Sequence, residues 1–304
     1  MRTSPHPPLL VSSSKSTPPE SRVPVQVRYL DDPVTFQDLV QDFLAGDEAQ
    51  NSLILSIARA VAAAPRTEHA PLLCLVESAA GLEAVAIRSG PSRSLCISPT
   101  NRAITLLLAE SVFETAPDLT GVIGTPEDTE AFCDFWCVNT GRTSRISMKM
   151  AIYELTCVKQ PRDSGGRLRL GELTDRDTIR SWVDEFESES IPTVNRRPNS
   201  NTGDRWLERK SVYLWDHNGP VTMVNAAGRT AHGAIINGVY TPPPHRRKGY
   251  ASAAVARLSQ QLLDEGARFC CLFTDISNPT SNAIYAAIGY NRVGHSNQVM
   301  FSND

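Results

Sequence analysis

The stretch best suited to chemistry is Val239 to Ser252, VYTPPPHRRKGYAS, where a strand-like run ends, three prolines turn the chain, and a glycine-containing segment opens a long helix. A helix start presents unpaired N–H groups and the positive end of its dipole, and a glycine there lets the backbone approach a ligand closely. Together these features form a cradle for phosphate. Arg246, Gly249 and Ala251 fit the pattern Arg/Gln-x-x-Gly-x-Gly/Ala, in the strand-to-helix context that a cradle requires. The seven cysteines offer no comparable site. Cys133 and Cys137 stand four apart on an expected helix, but no second Cys or His pair follows at zinc spacing, so they read as buried thiols and no metal is implied.

The elements around the cradle follow from apolar spacing. Arg167 to Leu173 alternates like a strand, and Thr174 to Phe186 is an expected helix. Ser211 to Trp215, Val221 to Ala227 and Ala234 to Thr241 are three strands joined by hairpins at His217 to Gly219 and Gly228 to Gly233. Ala251 to Leu263 has helical spacing and stops at Gly266, Cys270 to Thr274 is a short strand, and Pro279 to Ile288 is a helix that ends at Gly289. The first half repeats this order. Leu72 to Glu77, Leu82 to Arg88 and Leu95 to Ser98 read as strands, Asn101 to Phe113 as a helix, Gly121 to Gly124 as a strand, Glu127 to Val138 as a helix and Met148 to Val158 as a strand. The repeated order suggests a duplicated module.

Length and composition frame this reading. The chain has 304 residues, 41% of them apolar and 21% charged, with a formal net charge of −3. These values fit two domains of ordinary composition and leave no overall basic field to hold nucleic acid or an anionic membrane. No run approaches the roughly 20 apolar residues of a membrane span, and the N-terminus lacks a secretory pattern, so a cytoplasmic setting is expected. Residues 1–22, rich in Pro and Ser, read as a mobile tail. Lys159 to Arg167, KQPRDSGGR, reads as a linker, which gives domains at 23–160 and 161–304.

Arg167 to Phe301 resembles a GNAT-superfamily N-acetyltransferase domain. VYTPPPHRRKGYAS together with LFTDISNPTSNAIYAAIGY, at Leu272 to Tyr290, is similar to its acetyl-CoA-binding core. The resemblance implies a mixed α/β fold of two GNAT-like modules, with acetyl-CoA as co-substrate and an amine as acceptor. It implies that backbone donors of Arg247, Lys248, Gly249, Tyr250, Ala251 and Ser252 hold the pyrophosphate. It also implies that the end of the central strand, Val239, Tyr240 and Thr241, pairs with the pantetheine arm, with the Val239 amide on the thioester carbonyl. Asn278 matches an asparagine near that arm, and Tyr285 matches the tyrosine beside the leaving sulfur, where a phenol can act as general acid. Similar loops often have glycine where Arg247 stands and an acidic residue where Pro244 stands.

A base must take the proton of the attacking amine, and the central strand, Gly233 to Thr241, has no carboxylate. Asp275 at the end of the next strand is the favoured candidate, with His232, His217 and Glu187 behind it, although Asp275 can equally cap the turn before Asn278. The run Asp184, Glu185, Glu187, Glu189 reads as a solvated helix face, or else as an acidic acceptor wall blunted by Arg196 and Arg197. In the first half, Ser98 to Leu108 has the strand-to-helix position without a cradle glycine, and Thr100 or Asn101 can cap that helix without a ligand. One coenzyme site is therefore expected, in the second half. The expected function is acyl-CoA-dependent N-acyl transfer to a primary amine. The rivals are a non-catalytic acyl-CoA-binding sensor and an interaction scaffold with an empty cradle.

Overall fold

Capping side chains and alternating apolar residues place the elements of both halves in the same order. The computed structural model describes residues 25–64, 70–190 and 201–303. The first half runs β1 (Gln26–Tyr29), α1 (Pro33–Ala45), α2 (Ser52–Ala63), β2 (Leu72–Ser78), β3 (Gly81–Arg88), β4 (Leu95–Ile97), α3 (Arg102–Thr115), β5 (Gly121–Gly124), α4 (Pro126–Thr140) and β6 (Thr143–Leu155). The second half repeats it as β7 (Arg167–Leu170), α5 (Arg176–Ser190), α6 (Thr202–Glu208), β8 (Val212–Asp216), β9 (Pro220–Arg229), β10 (Gly233–Tyr240), α7 (Tyr250–Asp264), β11 (Phe269–Asp275), α8 (Pro279–Ala287) and β12 (Asn291–Ser302). The expected tail at residues 1–22, and Arg196 and Arg197, lie outside the described residues.

Three helices exceed the sequence expectation: α1, α2 and α6. The first had a readable signal, because Phe36, Val40 and Leu44 recur at four-residue spacing and all are buried. The expected strand at Met148 to Val158 starts earlier and stops at Leu155, because its pairing with β12 extends back to Thr143.

Among the described residues the twelve strands form one sheet in the order β1-β2-β3-β4-β5-β12-β6-β11-β10-β9-β8-β7. The last strand of each half has crossed to the other. β6 pairs antiparallel with β11, from Cys270↔Leu155 to Asp275↔Met150, and β12 pairs antiparallel with β5, from Asn297↔Gly124 to Met300↔Gly121. The two exchanged strands also pair with each other along most of their length.

Alternation along the strands puts α1, α2, α5 and α6 on one face of the sheet and α3, α4, α7 and α8 on the other. Leu73 and Leu75 pack with α1 and α2, whereas Cys74 and Val76 pack with α3 and α4. The exchange carries core residues with it. Leu155 of β6 is buried among the residues of α7 and α8, and Val299 and Phe301 of β12 are buried among those of α3 and α4. The α1–α2 connection adds a second joint. The Glu48 carboxylate accepts the His232 backbone N–H at 2.8 Å and faces its Nδ1 at 2.8 Å, while Ala49 packs on Ile235, Phe269 and Cys271.

Phe301 stacks on Phe132 and Trp136 of the opposite half at centroid distances of 6.4 and 5.5 Å. Phe301→Ala is expected to cost about 3–5 kcal/mol. In urea denaturation both halves should unfold in a single transition at lower denaturant, with tryptophan fluorescence as the probe.

Candidate functional site

The site begins where β10 leaves its neighbour. β10 and β11 pair in parallel only over Gly233↔Phe269, Ala234↔Cys270 and Ile235↔Cys271, so from Ile236 onward that edge of β10 has no strand beside it. On its other edge the register with β9 shifts between Asn237 and Tyr240. The bulge depends on Gly238, whose φ of +59° is left-handed and whose missing Cβ would lie 2.4 Å from the Trp206 ring. Beyond the bulge, Val239 packs toward α7, and Tyr240 packs among residues of α5 and α6.

The loop after β10 is closed by its own arginine. Arg246 Nε donates to Thr241 O at 2.8 Å, and its Nη2 donates to both oxygens of Glu189 at 2.8 Å. Tyr240 donates its hydroxyl to Glu185 at 2.6 Å, and Arg246 lies over the Tyr240 ring. Burial and the Glu185 carboxylate push the Tyr240 phenol up. The acidic run is therefore more than a solvated face, because Glu185 and Glu189 reach back to the central strand. These contacts are the part of the site that sequence reasoning missed.

The chain then takes two left-handed residues, Arg247 at φ +63° and Gly249 at φ +84°, before α7 starts at Tyr250. Arg247 occupies the conformation for which similar loops use glycine, at a cost of about 1–2 kcal/mol. No side chain caps α7, and the amides of Gly249, Tyr250, Ala251 and Ser252 meet no acceptor among the described residues. The linker between the halves forms the floor. Ser164 lies 3.6 Å from where a Gly249 Cβ would stand, Trp215 Nε1 donates to Gly165 O at 2.8 Å, and the His217 ring packs on Tyr250.

The matching position in the first half is filled. Asn101 Oδ1 accepts the amides of Ala103 and Ile104 at 3.0 and 3.1 Å, and the Asp128 carboxylate accepts the Thr100 amide at 3.3 Å. Oxygen atoms of the chain already stand where a phosphate would sit.

The remaining expected residues gather at the end of β11 and on α8. Tyr285 is buried on α8, and its hydroxyl meets no partner among the described residues. Burial pushes the phenol up to about 12. Asn278 is the N-cap of α8, with Oδ1 accepting the Ser281 amide at 3.0 Å, which leaves its Nδ2 for other contacts. Asp275 Oδ1 accepts both the amide and the hydroxyl of Ser277 at 2.8 Å, so one carboxylate oxygen is used in the turn. Of the other base candidates, His232 is held by Glu48, and His217 lies under the cradle.

The FR47-like protein family model matches residues 217–299, a span that contains the bulge, the loop, α7, β11 and α8. Solved structures share the architecture at low identity. A Drosophila melanogaster protein is 13% identical with a TM-score of 0.59, over 91% of this chain and 98% of that one. A GCN5-related N-acetyltransferase from Sphaerobacter thermophilus is 15% identical with a TM-score of 0.56, over 91% and 95%. A tandem GNAT protein from the clavulanic acid biosynthesis pathway is 12% identical with a TM-score of 0.50, over 92% and 98%. No curated protein sequence matches the chain. The fold is the tandem GNAT arrangement, a mixed α/β sheet built from two modules.

Gly238→Ala combines a left-handed φ with a contact of 2.4 Å against Trp206. A loss of about 2–4 kcal/mol is expected, read as a lower midpoint in chemical denaturation.

Proposed function

We propose that the chain is an acyl-CoA-dependent N-acyltransferase that moves acetyl from acetyl-CoA to a primary amine by direct attack. In this reading the module at 161–304 is the transferase, the module at 23–160 is a degenerate copy, and the setting is cytoplasmic. The observation that carries it is the open edge of β10 followed, after the loop that Arg246 closes, by an uncapped helix start. Unpaired backbone groups of a strand edge suit an amide-bearing arm, and those of a helix start suit a pyrophosphate.

The residues present fit that ligand. Arg247, Lys248, Gly249, Tyr250, Ala251 and Ser252 would hold phosphate through backbone amides, with Gly249 allowing close approach. Val239, Tyr240 and Thr241 would pair with the pantetheine arm, and Asn278 would face it with its free amide. When bound, acetyl-CoA supplies an activated acyl group. The Val239 N–H would then stabilise negative charge developing on the carbonyl oxygen.

Tyr285 remains a hydrogen-bond donor throughout. Burial raises its phenol above the ordinary value, which keeps it protonated and able to donate. The phenol therefore stabilises the departing sulfur by a hydrogen bond, and the proton lost by the attacking nitrogen balances the charge. Asp275, through its second oxygen, or water would accept that proton. Glu189 is neutralised by Arg246, so it is Glu185 beside Tyr240 that favours an acceptor carrying a cationic amine, such as a polyamine, an aminoglycoside or a lysine side chain. A sensor that binds acetyl-CoA without turnover is the second reading, favoured by the Asp275 oxygen committed to Ser277.

Acetyl-CoA is expected to raise the melting temperature, since a ligand of the native state must stabilise it. Gly249→Glu should abolish that rise by placing a carboxylate in the cradle, and persistence of the rise would refute the assigned site. Release of free thiol from acetyl-CoA with spermidine, an aminoglycoside or a lysine peptide separates enzyme from sensor. Tyr285→Phe should lower kcat about 10- to 100-fold with acetyl-CoA binding retained. Because the phenol is raised above its ordinary value, the rate should hold a plateau on the alkaline side past pH ~10; a fall centred near that pH would assign Tyr285 an unshifted ionisation and count against its role.

A further inference from the structure

Asn282, on α8, is one turn before Tyr285, so the two side chains lie on the same side of the helix. Its amide nitrogen reaches three carbonyls of the turn that links β11 to α8: Asn278 O at 2.7 Å, Asp275 O at 3.0 Å and Ile276 O at 3.3 Å. Its Oδ1 accepts a hydrogen bond at 3.2 Å from the hydroxyl of Tyr153, a residue of β6 and hence of the opposite half. The Tyr153 ring also stands 6.3 Å from the Tyr285 ring. A second tie comes from the same strand, because the Ile276 amide donates to Lys149 O at 2.9 Å.

The turn held in this way is the one that carries Asp275 and Asn278 and sets where α8 begins. Without the Tyr153 hydroxyl the Asn282 carbonyl loses its partner, and the side chain is held to the turn through its amide nitrogen alone, with its tie to β6 gone. The ring of Tyr153 limits how far Tyr285 can tilt toward β6. Hydrogen bond and ring contact thus act on the same short helix from β6, which flanks β11 on the side opposite β10.

We infer that Tyr153 is a positioning residue for the reaction proposed above, delivered to the second half's site by the exchanged strand and acting through Asn282 on Tyr285 and the Asp275 turn. The first half thereby has a role in turnover although its own phosphate position is filled. This inference rests on the proposed acyl transfer and adds to it that the site is incomplete without β6.

The test is a double-mutant cycle on the full chain, with acetyl-CoA and hydroxylamine as reactants, because hydroxylamine makes no demand on an acceptor pocket. Tyr153→Phe keeps the ring and removes the hydroxyl. It should lower kcat about 10- to 100-fold, as expected for a displacement of the order of 1 Å at the reacting groups, with KM for acetyl-CoA within about twofold of the parent value. In the Tyr285→Phe background the same substitution should have almost no further effect on kcat, because its action passes through the missing phenol. Asn282→Ala should reproduce the kcat loss and be non-additive with Tyr153→Phe. No acetyl transfer by the parent chain overturns the proposed function itself, whereas Tyr285→Phe with unchanged turnover overturns the role of Tyr285 and with it that of Tyr153. A loss in Tyr285→Phe with none in Tyr153→Phe, a multiplicative loss in the double variant, or a Tyr153→Phe loss explained by a smaller folded fraction in a melting curve overturns the role of Tyr153.

Discussion

Two strands that pair and then part leave N–H and C=O groups facing an open gap, and such groups destabilise a fold unless water or a ligand meets them. In this protein that separation falls after Ile235, between β10 and β11. It can exist because each strand is secured on its other edge. β10 keeps β9 through a bulge that only glycine fits, and β11 keeps β6 from Cys270 to Asp275. The exchange of β6 and β12 therefore supports this gap directly. Without β6, β11 would lie at an edge on one side and beside a gap on the other.

The cradle was readable because its signal is local: a left-handed glycine, a proline turn and a helix start follow one another within Val239 to Ser252, and no distant residue is needed to specify them. The order of elements from β2 to β6 and from β7 to α8 was largely readable for the same reason, since period-two alternation and Gly/Pro stops are properties of short segments, whereas β1 was not expected. The exchange was not readable. Whether the strand after α4 returns to β5 or crosses to β11 depends on which edge it meets, and the sequence of Thr143–Leu155 suits either partner. The clamp of Arg246 on Glu189 was hidden for a related reason, because 57 residues separate its members. Asp275 caps the turn through one oxygen, which is one of the two readings its position at a strand end allowed.

Electrostatics at the site are arranged locally. The side chain of Arg246 is turned toward Glu189 and Thr241, so its charge organises the loop. An exposed ion pair of this kind adds little stability by itself. Its effect is geometric, joining the end of α5 to the start of the cradle.

The crossing of β12 also orders events in time. Ser296 of β12 donates its hydroxyl to Gly124 O of β5, and 172 residues separate the two. During synthesis β6 emerges well before β11, so the second half finds its borrowed strand already made. The first half must wait with the outer edge of β5 unpaired and the Phe132 and Trp136 rings uncovered until Val299 and Phe301 leave the ribosome. The module translated first is thus the last to be completed.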